Sequence, residues 1–467
     1  MSLEPELEGP WVILARVPVV VDDADHDSVP RGRDLGFLFK HPPRVTVLMV
    51  PECVARHGTT AVDYPYVAAA DQSRRFLLLC TRRHSDMAEY LLWHRTKSPQ
   101  ELEHQVFLPS VPTGHKLEGE YYICDTISSK VSSLPVYPGS GTLDPGSVGM
   151  IRCGDELMVY VLHGQILEDK LIWCYSTGTG QWIPKKVAID SPAPTKWCNN
   201  GTVSHAGRIW WVDLSVGLFT CDPFADEPRL RHVPFPRVCK LPENFGRTSF
   251  RLDDVHAFFK TRCVGVSRNQ VRFCHIDDAA GTIGMWKLNE VDDWVLDDPI
   301  GDANDHWTLE HKVPLADIWA DDGYEAAGLT EVAPVISLID PRIPDVAYLI
   351  DSSSSKLFSV DLRVRKLLGC EAITVRDMSP EHPSSEFLMA WRLPEMPHSP
   401  GMCSWSFGLG HVRGAEACTG YHCWCWTVHH LLFPVVQPSK RPMVIRQRSS
   451  SELISSCTDK DAERDLH

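Results

Sequence analysis

The feature that most limits the possible folds of this chain is a short unit that recurs along its middle. Each unit is an apolar strand ending near a Cys or Ser and an Asp, then a polar turn and a second short strand. A lone hairpin of this kind cannot bury its apolar face, so the units must cover one another. The copies are YYICDTISSKVSSLP (121–135), IWCYSTGTGQWIPKKV (172–187), GLFTCDPFADEPRLRHVPFP (217–236), KLFSVDLRVRKLLGCE (356–371) and, more loosely, GMWKLNEVDDWVLDD (284–298).

The spacing of these units predicts the fold class. Their intervals lie around the ~40–50 residues of familiar propeller blades, with two longer ones. The Asp or Ser at each bend can accept hydrogen bonds from backbone N–H groups two residues on, which fixes the turn. We therefore expect an all-β protein, a β-propeller-like repeat of short antiparallel sheets with roughly six to eight blades. Two β-sandwiches without a true repeat are the alternative, because regularly spaced strands are typical of both architectures.

Composition divides the chain into four parts. We expect a flexible N-terminus, a propeller-like β domain, a divergent Cys/Trp-rich segment and a Ser-rich, charged, disordered tail. The repeat signal fades near residue 395, so removal of the last two parts should leave the β domain folded, unless LLFPVV (431–436) pairs with the N-terminal strands. The four parts are residues 1–10, 11–395, 396–437 and 438–467.

Net charge limits the partners. Lys and Arg number 46 and Asp and Glu 61, which gives a formal net charge of -15. Nucleic-acid binding requires a basic face that displaces counterions from phosphates, so no nucleic-acid partner is expected. The same charge disfavours docking on anionic membranes.

Cysteines and the first residues bear on location. Many of the 16 cysteines lie inside apolar runs, where a reduced thiol packs as a small apolar residue. The opening MSLEPELEGP lacks the apolar core of a secretory signal. A cytoplasmic or nuclear location is therefore expected. The cysteines that carry this interpretation are Cys80, Cys124, Cys174, Cys221 and Cys274.

Two near-matches to catalytic or phosphate-binding motifs are weak. Ser204 and His205 lack the G-x-S-x-G spacing of a nucleophile elbow, and we expect them in a strand or turn. Gly178 and Gly180 lack a third glycine and precede a strand, whereas a phosphate loop opens a helix. Both segments are interpreted as parts of blades.

Two clusters suggest metals at first sight. The run Asp292–Asp305 does not supply the ligand order of an EF-hand, and a solvated acidic loop is the better interpretation. Near the C-terminus, C-x-C is not the usual zinc spacing, and no second clean pair exists. We therefore predict no catalytic, cofactor-binding or metal-binding residues and no cofactor. The C-terminal cluster comprises Cys403, Cys418, Cys423, Cys425, His422, His429 and His430.

Several phrases resemble one protein family. GRIWWVDLSVGLFTCDPFADEPRLRHVPFP (207–236) and YYICDTISSKVSSLP (121–135) are similar to the plant family called Domain of Unknown Function 1618, which is greatly expanded in grasses. WVILARV (11–17) and PPRVTVLMV (42–50) resemble the start of such proteins, so the resemblance covers roughly residues 10–395. It implies a propeller-like fold akin to the domains that follow F-boxes in plant ubiquitin-ligase adaptors. It implies no catalytic residues, and no F-box-like segment precedes the β region.

These features favour a protein-binding or scaffold module that uses loops on one propeller face. The acidic stretch Asp292–Asp305 and DIWADDGYE (317–325) are the expected loops, with Trp294, Trp307 and Trp319 as candidate anchors or core residues. An enzyme, a hydrolase or lyase at the propeller channel, is the first alternative. The second is an adaptor that recruits substrates for ubiquitin ligation through an F-box-bearing partner.

Overall fold

The structure, a computed structural model, describes most of the β region. The chain divides into two units, residues 1–402 and 403–467, and every described residue lies in the first. The described residues are 9–25, 27–55, 65–71, 75–80, 121–138, 145–162, 171–190, 194, 197, 199–239, 258–289, 306–373 and 387–394.

Strands dominate this part of the chain, as predicted, and they are short. The strands are β1 (Trp11–Ala15), β2 (Val19–Val21), β3 (Gly36–Leu38), β4 (Val45–Pro51), β5 (Tyr66–Ala70), β6 (Phe76–Cys80), β7 (Tyr121–Asp125), β8 (Lys130–Ser133), β9 (Val148–Cys153), β10 (Glu156–Leu162), β11 (Leu171–Ser176), β12 (Gln181–Lys186), β13 (Ala188–Ile189), β14 (Gly201–His205), β15 (Arg208–Asp213), β16 (Gly217–Cys221), β17 (Arg229–Pro234), β18 (Arg262–Ser267), β19 (Gln270–Asp277), β20 (Thr282–Leu288), β21 (Trp307–Pro314), β22 (Val335–Ile339), β23 (Val346–Asp351), β24 (Lys356–Asp361), β25 (Lys366–Ala372) and β26 (Leu388–Arg392). The helices are α1 (Leu315–Trp319) and α2 (Asp322–Ala326), with single 3₁₀ turns at Pro145–Ser147 and Arg237–Cys239.

Five antiparallel sheets form the blades of a propeller. Each has four antiparallel strands in sequence order, namely β5–β8, β9–β12, β14–β17, β18–β21 and β22–β25, and the short β13 pairs in parallel with β17. The first strand of each sheet packs beside the first strand of the next, so these inner strands surround the centre. The predicted all-β repeat is confirmed. Five blades are fewer than the six to eight expected, because long connections between strands lengthen the units.

A sixth sheet joins the two ends of the described chain. Its strand order is β2-β4-β1-β26, with β3 also paired with β4, and β1 is antiparallel to β26 but parallel to β4. β26 packs beside the inner strand β22. The backbone N–H of Val67, in β5, donates to the carbonyl of Arg16 at 2.7 Å. Strands from both chain ends therefore close the ring, whereas LLFPVV (431–436) lies outside the described residues.

At four of the five predicted bends the Asp or Ser fixes its turn as the sequence indicates, whereas the looser unit at 284–298 extends beyond the described residues. Asp125, Ser176, Asp222 and Asp361 each accept a hydrogen bond from the backbone N–H two residues on, at 3.1, 3.0, 2.9 and 2.9 Å. Each of these turns joins the third and fourth strands of a blade. Local hydrogen bonding of this kind needs no distant partner, which explains why the sequence shows it.

Residues 317–325 form helices rather than the expected loop. α1 and α2 bury Leu315, Ile318 and Tyr324 in an apolar cluster shared by the fourth and fifth blades. Asp321 accepts a hydrogen bond from the backbone N–H of Leu367 on the outer strand β25, at 3.0 Å. The helices therefore cover part of an exposed sheet edge. Helices of five residues are stabilised by packing rather than by helix propensity. They are also too short to show a helical period of apolar residues in the sequence.

The core consists of apolar clusters, each of which lies between two neighbouring sheets of the ring. The five cysteines predicted to pack in apolar surroundings are all buried. Burial raises the pKa of the Cys124 and Cys221 thiols to about 12. Among the described residues, no helix has the length and apolar character needed to cross a membrane.

Candidate functional site

The turns that follow the inner strands gather at one end of the ring. The backbone N–H of Arg268, after β18, donates to the carbonyl of Pro341, after β22, at 3.0 Å. Arg392, the last residue of β26, donates from Nη2 to the same carbonyl at 2.7 Å. We call this end the hairpin face and define it by turns 205–208, 267–270 and 340–345 together with Arg392.

Four arginines occupy the hairpin face, and we call them the arginine arc: Arg208, Arg268, Arg342 and Arg392. Arg268 and Arg342 are exposed, and the other two are half-buried. Arg268 Nε donates to the carbonyl of Arg342 at 3.2 Å, which ties two neighbouring blades together. Within the described residues, Arg208, Arg268 and Arg342 have no carboxylate within 4.0 Å. Most of their donors are therefore available to a ligand.

The carboxylates beside the arc are used by the fold. Asp340 is 4% exposed and accepts hydrogen bonds from the backbone N–H groups of Arg342 and Ile343 at 2.8 and 3.0 Å. Asp345 lies 2.7 Å from His311 Nε2. Burial raises the pKa of Asp340 against the opposing effect of its hydrogen bonds. The exposed charge of turns 205–208, 267–270 and 340–345 is consequently positive, whereas the turn after the inner strand β9 carries the exposed Asp155 and Glu156.

His205 ends β14 beside the arc. Burial lowers its pKa, the positive charge of Arg392 lowers it further, and a hydrogen bond with the backbone of Asn269 opposes both effects. The imidazole is therefore neutral at pH 7 and offers a polar group without charge. β14 and β26 belong to different sheets, so this effect places His205 near Arg392 across the boundary between them.

The backbone of Arg268 has an unusual conformation for an arginine. Arg268 and Asn269 have φ of 45° and 57°, and they form the two-residue turn between Ser267 and Gln270. Both central residues of a type I′ turn have positive φ, which favours Asn and Gly. A residue with a Cβ in this region costs about 1–2 kcal/mol. Strained positions of this kind cluster at functional sites.

Two basic side chains, Arg262 on β18 and His275 on β19, lie opposite each other at the ends of these strands away from the hairpin face. Arg262 donates from Nη1 to the carbonyl of Leu214 at 2.8 Å and from Nη2 to that of Cys239, and its guanidinium carbon lies 3.8 Å from the Phe258 ring centroid. Burial lowers the pKa of Arg262 to about 9 and that of His275 to about 4. Arg262 is 1% exposed, so its guanidinium holds the backbone of Leu214 and Cys239 and is not accessible to a ligand, while His275 is half-buried.

The weak catalytic and phosphate-binding matches lie in a strand and in a turn between strands, which are the positions the sequence predicted. Ser204 lies in β14 and donates from Oγ to the carbonyl of Met150 on the neighbouring inner strand β9. Gly178 and Gly180 form the turn between β11 and β12, where Gly180 has φ of 67°. A strand follows these glycines, so no helix N-terminus is available for phosphate.

The candidate aromatic anchors fall into two groups. Trp307 is buried in β21 and donates from Nε1 to the carbonyl of Pro234 at 2.9 Å, so it belongs to the core. Trp319 ends α1 and is partly buried against the same cluster as the helices. Trp294 and the stretch Asp292–Asp305 lie outside the described residues.

Side chains that could bind a metal ion are scattered in this part of the chain. No group of three or more His, Cys, Asp or Glu side chains placed to hold a metal ion occurs within the described ranges. The C-terminal cysteine and histidine cluster, from Cys403 to His430, lies outside them.

Sequence reasoning missed the arginine arc. Each arginine of the arc stands at a turn or a strand end, where an isolated charge is ordinarily a solvated surface residue. The sequence signal for the arc is that an arginine recurs at the same place in successive blades. Each of Arg208, Arg268 and Arg342 follows the end of an inner strand by one to three residues. The ring brings them together, and no local pattern encodes that proximity.

Comparison with known proteins bears on the central blades. A family model described as "Protein of unknown function (DUF1618)" matches residues 211–348, which run from β15 into β23. This match supports the resemblance between the sequence and the DUF1618 family. No curated protein matches this chain. The matched region includes two members of the arginine arc, Arg268 and Arg342, and the DUF1618 description assigns no activity to them.

Several solved structures align with parts of the chain. Apo AztD from Citrobacter koseri aligns at 12% identity over 57% of this chain and 56% of its own, with a TM-score of 0.27. Kluyveromyces lactis Hsv2 aligns at 8% identity over 66% and 63%, with a TM-score of 0.29. The Cps50 (Swd1) β-propeller domain of Myceliophteria thermophila aligns at 10% identity over 54% and 80%, with a TM-score of 0.28. The chain thus spans little more than half of the AztD chain, and the propeller assignment rests on its own sheet order.

Proposed function

We propose that this chain is a protein-binding module whose contact surface is the hairpin face. The arginine arc is the observation that carries the proposal, because it places several guanidinium groups together at one end of a rigid ring. A propeller fold and a match to a family of unknown function fit a scaffold or binding module. Loops positioned by a rigid scaffold are where binding residues concentrate.

The composition of the hairpin face supports a protein as the partner. Ile343 is 43% exposed between the exposed Arg342 and the Pro344–Asp345 end of the same turn. Arginine is enriched among residues that dominate binding energy at protein interfaces, and an apolar neighbour excludes water around it. A site that combines an exposed apolar side chain with guanidinium groups matches a protein partner better than it matches a small ion.

The proposal extends to the location, the source and the cellular role of the protein. A cytoplasmic or nuclear location and a plant source are consistent with it. Recruitment of a target for ubiquitin ligation through an F-box-bearing partner would be one form of this function. Turnover of a small molecule by the purified chain would instead favour the enzyme alternative.

Site-specific photo-crosslinking tests the face directly. Ile343 and Ser352 are exposed and lie beyond opposite ends of the same strand, β23, so they sample opposite faces of one blade. Each is replaced in turn by a photoreactive amino acid in the full chain, and crosslinked proteins are identified by mass spectrometry. We expect a specific crosslinked protein from position 343 and none from position 352.

Melting temperatures of both variants must equal that of the native chain, which shows that either substitution is tolerated. Crosslinks from position 352 alone would move the contact surface to the opposite face. Absence of specific crosslinks from both positions, with the protein folded, would contradict the proposal.

A further inference from the structure

We infer that the arginine arc receives an acidic, carboxylate-bearing segment of the partner protein. The inference rests on the proposed function and adds the chemistry that the partner must present. It concerns four side chains whose positions are fixed by four different sheets of the ring.

The distribution of the charges favours an extended peptide over a small anion. Arg208, Arg268 and Arg342 belong to the third, fourth and fifth blades, and Arg392 belongs to the closing sheet. The cations therefore follow one another round the ring, with one from each sheet. A single phosphate would engage only part of such an arc, whereas a chain with several carboxylates can place one beside each of Arg208, Arg268 and Arg342.

Hydrogen bonds hold the arc in place before any ligand arrives. Arg268 Nε and Arg392 Nη2 are bonded to the carbonyls of Arg342 and Pro341, at 3.2 and 2.7 Å, so their guanidinium planes are restrained. Asp340 fixes the turn that carries Arg342. Restraint reduces the entropy lost on binding. A guanidinium fork also matches a carboxylate with two parallel hydrogen bonds.

The charge of the whole chain separates acidic peptides from nucleic acids. A net charge of -15 repels a long polyanion whose phosphates extend beyond the arc. A short acidic segment meets mainly the local positive field, because salt screens charges more than about 8 Å away at physiological ionic strength. An acidic peptide short enough to stay on the arc is therefore the occupant that the arc favours and that the net charge opposes least.

Fluorescence anisotropy with the purified full chain provides the test. The probes are a labelled glutamate-rich peptide, a lysine-rich peptide of equal length and a labelled single-stranded oligonucleotide. We expect the glutamate-rich peptide to bind more tightly than the oligonucleotide, and the double substitution R268E/R342E to weaken the affinity of that peptide about tenfold or more without weakening the affinity of the lysine-rich peptide. The matched control K186E/K312E alters exposed lysines on outer strands and should leave the affinity unchanged.

Arg268→Gly guards against loss of binding through misfolding. Glycine adopts the φ of 45° at this position without a Cβ penalty, which offsets loss of the hydrogen bond from Arg268 Nε to the Arg342 carbonyl, so the melting temperature should stay close to that of the native chain. Binding of the glutamate-rich peptide should nevertheless weaken severalfold, because one guanidinium is lost.

Three results would overturn the inference: no binding of the glutamate-rich peptide, equal loss in K186E/K312E, or tighter binding of the oligonucleotide that requires the same arginines. If the peptide experiment fails but position 343 still crosslinks a partner, the proposed function stands and only the acidic nature of the partner segment is refuted.

Discussion

His275 is a residue whose burial should make the protein sensitive to acid. Its ring stacks near Phe273 and lies close to Trp286, with centroid distances of 6.1 and 6.3 Å. Burial and the positive charge of Arg262 lower its pKa to about 4, while Asp277 opposes the shift. The folded state therefore keeps His275 neutral where the unfolded chain would bind a proton.

The direction of the pH effect follows from that difference. Between about pH 6.5 and pH 4 the unfolded state binds more protons at His275 than the folded state, so stability falls as pH falls through this window. The loss is at most about 3 kcal/mol. In His275→Gln, the free energy of unfolding should fall less over the same window, by roughly 1–3 kcal/mol. Urea unfolding at several pH values measures this, with exposed His41→Gln as the control.

If acid lowers the free energy of unfolding equally in the native protein and in His275→Gln, His275 is not the acid-sensitive group. The comparison uses the change with pH rather than absolute stability, because the substitution also alters packing against the neighbouring rings.

At the scale of elements, the turns of the blades are held by single side chains. Asp361 Oδ1 accepts hydrogen bonds from the N–H groups of Arg363 and Val364 at 2.9 and 3.2 Å. Asp361→Ala should lower the free energy of unfolding by about 1 kcal/mol, and Asp361→Asn by less, since asparagine keeps an acceptor oxygen. Asp155→Ala is the control, because that side chain is fully exposed. Equal effects of Asp361→Ala and Asp155→Ala in urea unfolding would refute the role of the turn.

These turns also show what the sequence could predict. Asp125, Ser176, Asp222 and Asp361 were identified as bends because an Asx-type or Ser-type turn is made within a few residues. The apolar runs before them were identified as strands for the same local reason. Fold class therefore followed from short-range chemistry repeated several times.

Features set by distant residues could not be predicted in this way. The parallel pairing of β1 with β4 and the helices at 315–326 depend on surfaces that form only when the ring assembles. Trp307 was a candidate anchor, yet its indole N–H bonds Pro234 inside the core. The arginine arc was missed because Arg268, Arg342 and Arg392 are far apart in sequence and come together only when the sheets form the ring.

For the molecule as a whole, the closing sheet determines how much of the chain is needed to fold. β26 pairs along its whole length with β1, from Trp11↔Arg392 to Ala15↔Leu388. A chain ending at residue 394 keeps this pairing and should melt within a few degrees of the full chain. A chain ending at residue 386 loses β26 and should melt far lower or fail to fold, because the inner strand of one sheet is missing. Equal melting temperatures for these two truncated chains would contradict closure by β26.

The central claim is that a protein partner binds the hairpin face. Hydrogen–deuterium exchange measures this most directly, using the full chain alone and saturated with the partner identified by crosslinking. Slower exchange is expected at turns 205–208, 267–270 and 340–345, with no change at the opposite turns 213–217, 277–282 and 351–356. Protection confined to the opposite turns, with none on the hairpin face, would contradict the claim.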